Sequence, residues 1–146
     1  MTLATKAGLL GMWRIDRRII DARGADGAFC GSAVFSQCPD DTRTLLFSET
    51  GTLHIGSQKP VVATRNYQWH FPDQRRIDVR FADGRDFHSF DSTSVPVTAV
   101  HHCAPDIYRV EYTFTSPTVW LVKWRVTGPR KDYEMISEMT RPPNGT

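Results

Sequence analysis

The sequence predicts an all-β fold: a single antiparallel up-and-down β-barrel with a short N-terminal helical turn. Three observations lead there. Helical periodicity is nearly absent along the 146 residues. Roughly nine or ten short segments alternate apolar and polar side chains, with turn signals about every ten residues. The connections are short, which favours a meander over a Greek key, and closing the meander into a barrel removes its exposed edges. A barrel of this size has an interior able to hold a small ligand.

The one candidate helix is a turn or two over residues 5–10. Residues 11–20 alternate Trp13, Ile15 and Arg17 against Arg14, Asp16 and Arg18, and residues 22–27 are a turn cluster. Strands over 29–35 and 44–48 follow, separated by Cys38-Pro39-Asp40-Asp41. Thr50-Gly51 reads as a link to a short strand over 53–55. Residues 61–71 form a long strand with Tyr67, Trp69 and Phe71 at period two, ended by Pro72-Asp73. Residues 76–82 meet 85–90 across Asp83-Gly84, a strong hairpin signal because a type I′ turn needs two residues that tolerate positive φ. After a loop over 92–96, strands over 97–103, 107–115, 118–126 and 133–140 complete the series. Pro105-Asp106, Ser116-Pro117 and Gly128-Pro129 mark their turns. Residues 1–146 are read as one domain, with 1–10 a lead-in and 141–146 a tail whose Asn144-Gly145-Thr146 matches a glycosylation sequon by chance.

Composition narrows the class. Hydrophobic residues at 40% and charged residues at 23% suit a globular chain with a real core. A net charge of +2 argues against nucleic-acid or anionic-membrane partners. Cys30, Cys38 and Cys103 are odd in number and widely spaced, with no C-x-x-C, so neither a disulfide framework nor a zinc ribbon is signalled. The apolar run over 7–13 is short for a signal-peptide core and leads into Arg14, Arg17 and Arg18. The expectation is a cytoplasmic, reduced protein with no membrane partner, monomeric or homodimeric.

Alternation assigns the inward faces. Tyr108, Val110, Tyr112 and Phe114 share one face, and Trp120, Val122, Trp124 and Val126 share another. A two-residue loop at Asp83-Gly84 pairs Ala82 with Arg85, Phe81 with Asp86, Val79 with His88 and Ile77 with Phe90, and cross-strand partners lie on one face. His88 then points inward. It is either a core histidine bonded to a carbonyl or tyrosine hydroxyl, or a donor that orients a ligand in an aromatic pocket. The candidate ligand-binding set is Tyr67, Trp69, His88, His101, Tyr108, Tyr112 and Trp124. Glu49 reads as a solvated rim residue at a strand end beside Gly51. In the turn Gly128 to Tyr133, Lys131 or Arg130 is expected to pair with Asp132. In the run His101-His102-Cys103, His101 and Cys103 share a face but find no third ligand, so no metal and no cofactor is expected. The nucleophile elbow, phosphate loop, dinucleotide fingerprint and H-E-x-x-H are all absent.

Gly11-Met12-Trp13-Arg14 resembles the G-x-W opening of the calycins, the lipocalin and fatty-acid-binding-protein group of barrels. The resemblance implies that Trp13 plugs one end of the barrel under an arginine, either Arg141 or Arg125. Arg14-Ile15-Asp16 does not supply the glycine-rich extension of heme-binding nitrobindin-like barrels. The last strand lacks the R-x-Y with which fatty-acid-binding proteins hold a carboxylate. The whole chain also resembles a bacterial family of unknown function. The match lies in Gly11 to Ile15, in Phe81-Ala-Asp-Gly-Arg-Asp-Phe-His88, in His101 and His102 through Cys103 to Asp106-Ile-Tyr108, and in Gly128-Pro-Arg-Lys-Asp-Tyr133.

The expected function is binding of a small, largely apolar or aromatic molecule in the lumen, as a carrier or sensor. Some calycin barrels catalyse isomerisations or dehydrations, which makes a small enzyme the alternative. His88 would then be its general acid–base and Tyr112 or Tyr108 the oxyanion donor, with Glu49 a partner only if it reaches the lumen. A structural or protein-interaction barrel is the third reading.

Overall fold

The computed structural model describes residues 4–143, so the Asn144 sequon lies outside the described residues. The hydroxyl of Thr5 accepts from the Gly8 amide and caps the single helical turn α1 (Lys6–Leu9). Gly11, at φ +103°, then turns the chain into β1 (Gly11–Asp21). Nine further strands follow: β2 (Gly27–Gln37), β3 (Thr44–Ile55), β4 (Val61–His70), β5 (Arg76–Phe81), β6 (Asp86–Asp91), β7 (Val97–Cys103), β8 (Asp106–Ser116), β9 (Val119–Thr127) and β10 (Asp132–Thr140).

They form one ten-stranded sheet in the order β6-β5-β4-β3-β2-β1-β10-β9-β8-β7, and every ladder is antiparallel. β1 pairs with β2 on one side and β10 on the other, so the first and last strands close the meander. The end strands β6 and β7 face each other without a ladder, which leaves a nearly closed barrel with one seam. This is the up-and-down architecture that the alternation predicts.

Two local expectations change. Thr50-Gly51 is not a link, because β3 runs unbroken from Thr44 to Ile55. Gly51 sits opposite Gly31 in the β2–β3 ladder. A Cβ on Gly31 would lie 2.2 Å from the Thr50 carbonyl oxygen, so the two strands approach too closely there for any side chain. The second change is the β5–β6 hairpin. Phe81 N donates to the Arg85 carbonyl (2.8 Å) and Gly84 N to the Phe81 carbonyl (2.9 Å), which makes a three-residue loop with Gly84 at φ +90°. The register then shifts between Val79 and Arg80: Val79 pairs with His88, Arg80 with Asp86, and Phe87 is left as the bulged residue. The longer loop and the bulge cancel. The pairs Ile77–Phe90 and Val79–His88 form as predicted, whereas Phe81–Asp86 and Ala82–Arg85 do not.

One end of the barrel is sealed. Trp13, 1% exposed, donates from its indole nitrogen to the Leu9 carbonyl (2.9 Å) and meets Trp120 edge-on at 5.9 Å. The Arg141 guanidinium carbon lies 3.9 Å from the Trp13 ring centroid. Its nitrogens donate to the carbonyls of Met12, Gly8 and Leu10, at 2.8 to 2.9 Å. Arg141 is therefore the covering arginine, and Arg125 pairs with Asp132 instead. Lys131 bonds Asp106 (3.0 Å) and the Tyr108 hydroxyl (2.9 Å) rather than Asp132.

Arg141 thus satisfies carbonyls at the end of α1 and stacks on the plug at once. Arg141→Ala is expected to lower unfolding free energy by about 2–3 kcal/mol. Arg141→Lys, which keeps the charge but not the fork, should recover only part of that loss. Urea denaturation followed by tryptophan fluorescence measures both.

Candidate functional site

Inward-facing side chains leave a cavity of about 60 Å³ in the lumen. Its polar part is built by β1, β3, β4 and β10. Arg17 alternates inward with Trp13 and Ile15, and its ladder partner on β10 is Ser137. The Arg17 guanidinium forms a bidentate pair with Glu49 (2.8 and 3.0 Å), donates from Nε to the Ser137 hydroxyl (2.7 Å) and lies over the Phe29 ring at 4.9 Å. Glu49 is 3% exposed, which overturns its reading as a solvated rim residue. Because β3 continues through Gly51, Glu49 falls mid-strand on the same inward face as Phe47.

Arg65 is the β4 partner of Glu49 and shares a face with Tyr67 and Trp69. It reaches solvent on one side and lines the cavity on the other. Burial opposes its charge, but the neighbouring Tyr67, Glu49 and Tyr133 hold its pKa above the ordinary arginine value. Among the described residues, no carboxylate lies within ion-pair distance of Arg65.

The rest of the wall is aromatic. Trp69 meets Phe35, Phe90, Tyr112 and Trp120 edge-on. The bulge turns both Phe87 and His88 of β6 toward the interior. Half-buried Phe87 stacks parallel to Trp124, with a centroid separation of 5.2 Å and an interplanar angle of 2°. His88 is 6% exposed and sits edge-on to Trp124. Its Nε2 is 2.7 Å from the Tyr112 hydroxyl. Burial, aided by the charge of His101, lowers the His88 pKa to about 3, and burial raises that of Tyr112 well above its usual value. Two buried polar atoms on this wall, His88 Nδ1 and Trp120 Nε1, have no hydrogen-bond partner among the described residues.

Of the residues singled out from sequence, the fold brings Tyr67, Trp69, His88, Tyr112 and Trp124 onto one cavity. His101 and Tyr108 are ladder partners outside that wall. His101 packs against Phe81 and Phe87, and Tyr108 against Trp124. Sequence reasoning did not single out Arg17, Arg65 and Phe87. An arginine in phase with Trp13 and Ile15 was the available signal for Arg17, and Arg65-x-Tyr67-x-Trp69 carried a similar one. Nothing local announced the bulge that turns Phe87 inward. Among the described residues, no group of three or more His, Cys, Asp or Glu could hold a metal, and no helix is long and apolar enough to cross a membrane.

The barrel superposes on known structures over nearly its full length. The S-type phycobiliprotein lyase CPES from Guillardia theta matches with a TM-score of 0.72 at 10% identity, over 97% of this chain and 93% of that one. The redesigned β-barrel mFAP0, solved bound to DFHBI, matches with a TM-score of 0.51 at 16% identity, over 92% and 99%. At these identities the likeness is one of fold. No curated protein matches the sequence. The family model that does match spans residues 9–141, from the residue whose carbonyl holds Trp13 to the arginine that covers it, and the chain belongs to this family of unknown function, DUF6314.

Proposed function

We propose that the protein binds a small, largely apolar or aromatic molecule in the barrel lumen, as a carrier or sensor. The observation that carries this reading is the pair of orphaned atoms, His88 Nδ1 and Trp120 Nε1, on an otherwise aromatic cavity wall. Each buried polar atom left without a partner costs about 1–3 kcal/mol, a cost that a ligand with hydrogen-bonding groups relieves. Two barrels of this fold lend support through what they are: a phycobiliprotein lyase, and a designed barrel bound to DFHBI.

A cavity of about 60 Å³ admits roughly two waters, so an aromatic ring enters only when a side chain moves. Phe87 packs against Tyr67, Phe81, His101 and Trp124, and it stands where the wall can open. It is half-buried, it sits on a bulge, and its strand β6 has no ladder on the seam side. A flat ligand would take its place against the Trp124 ring.

The His88–Tyr112 pair supports binding over proton transfer. With a pKa of about 3, His88 is a neutral imidazole at neutral pH, too weak a base to take a proton efficiently and without the second, acidic proton of an imidazolium. The two groups are bonded to each other and serve as a fixed hydrogen-bonding edge.

Two measurements test this reading. Calorimetric titration with indole should give at least about tenfold tighter binding to Phe87→Ala than to the wild type, about 1.4 kcal/mol. Equal or absent binding in both would sink the lumen reading. The second measurement is stability against pH. An unfolded histidine titrates near 6.5 but folded His88 near 3, so below about pH 6.5 the unfolded chain binds a proton that the folded one refuses. Stability should fall with decreasing pH across that window, by about 2–3 kcal/mol between pH 7.5 and 4.5. His88→Gln should remove that part of the slope in urea denaturation.

A further inference from the structure

The lumen carries an unanswered charge. Its wall holds two guanidinium groups, Arg17 and Arg65, and one carboxylate, Glu49, a net single positive charge with His88 neutral. Arg17 is committed: its two terminal nitrogens are on Glu49 and its Nε is on Ser137. The carboxylate directly across from Arg65 in the ladder is therefore already taken. Arg65 lines the cavity on one side and meets solvent on the other, its charge supported by neighbouring Tyr67, and no acid lies within ion-pair distance among the described residues. Deeper in, Trp120 is 3% exposed, and its indole N–H, which can only donate, has no acceptor among the described residues.

We propose that the lumen selects a monoanion, a carboxylate on a flat apolar body, with the carboxylate at Arg65 and a second acceptor at the inner end for the Trp120 N–H. The inference rests on the lumen being a binding site and adds the ligand's charge class. A guanidinium fork matches a carboxylate through two parallel hydrogen bonds. One net positive charge neutralises one negative charge. A dianion would leave surplus negative charge beside Glu49, and a cation would meet two arginines. The aromatic wall of Trp69, Trp124 and Tyr112 suits the flat body.

The test is calorimetric titration of the full-length protein with benzoate and with its neutral isostere benzamide. The wild type should bind benzoate at least about tenfold more tightly than benzamide. Arg65→Gln, at a position exposed enough to leave folding intact, should bring benzoate down to the level of benzamide. Arg65→Lys should retain part of the preference. Added salt should weaken benzoate alone. Equal binding of the two probes by the wild type, or a benzoate preference that survives Arg65→Gln, overturns the charge assignment while the lumen reading stands. Binding of neither probe to the wild type or to Phe87→Ala, both checked as folded by circular dichroism, overturns both.

Discussion

A guanidinium shut away from water by a barrel wall needs a charged partner, and the Arg17–Glu49 pair meets that constraint here. Taking both charges out of water is costly, and the geometry offsets the cost with a bidentate contact and a further bond to Ser137. The pair spans β1 and β3, and Ser137 adds β10, so three strands around the closing ladder are tied at one depth. It also divides the lumen into a polar part, where Arg65 is left without an acid, and an aromatic part.

The opposite constraint operates at the plugged end. There Trp13 fills the section, and Arg141, arriving from beyond the last strand, covers its ring and takes up the carbonyls around α1. Gly11 makes this possible. Its positive φ turns the chain into β1, and a Cβ there would press to 3.1 Å from Arg141.

Between these ends the seam sets the character of the cavity. β6 and β7 meet without a ladder, and the bulge on β6 turns two successive residues inward. One is Phe87, stacked on Trp124. The other is His88, bound to Tyr112 and kept neutral by its burial. A histidine placed by a regular ladder would have brought only one of these groups to the lumen.

The plug tryptophan was implied by the resemblance of the G-x-W opening to the calycins, whereas alternation and short turns were enough to determine the strand meander and the inward face carrying Tyr67, Trp69, His88, Tyr112 and Trp124. These are periodic properties, and a period of two survives whatever the distant strands do. What the sequence could not determine depended on contacts between strands remote along the chain. Gly51 looked like a turn because only its approach to Gly31 across the ladder shows why a glycine stands mid-strand, and with that error Glu49 was placed in solvent. Phe87 entered the lumen because a longer loop and a bulge cancelled, a pairing outcome invisible in the residues themselves. Arg141 won over Arg125 because Asp132 claims Arg125, and Arg65 became the unpaired charge because Arg17 claims Glu49. Which partner satisfies a charge is decided by proximity in space, and only the closed barrel brings the competitors together.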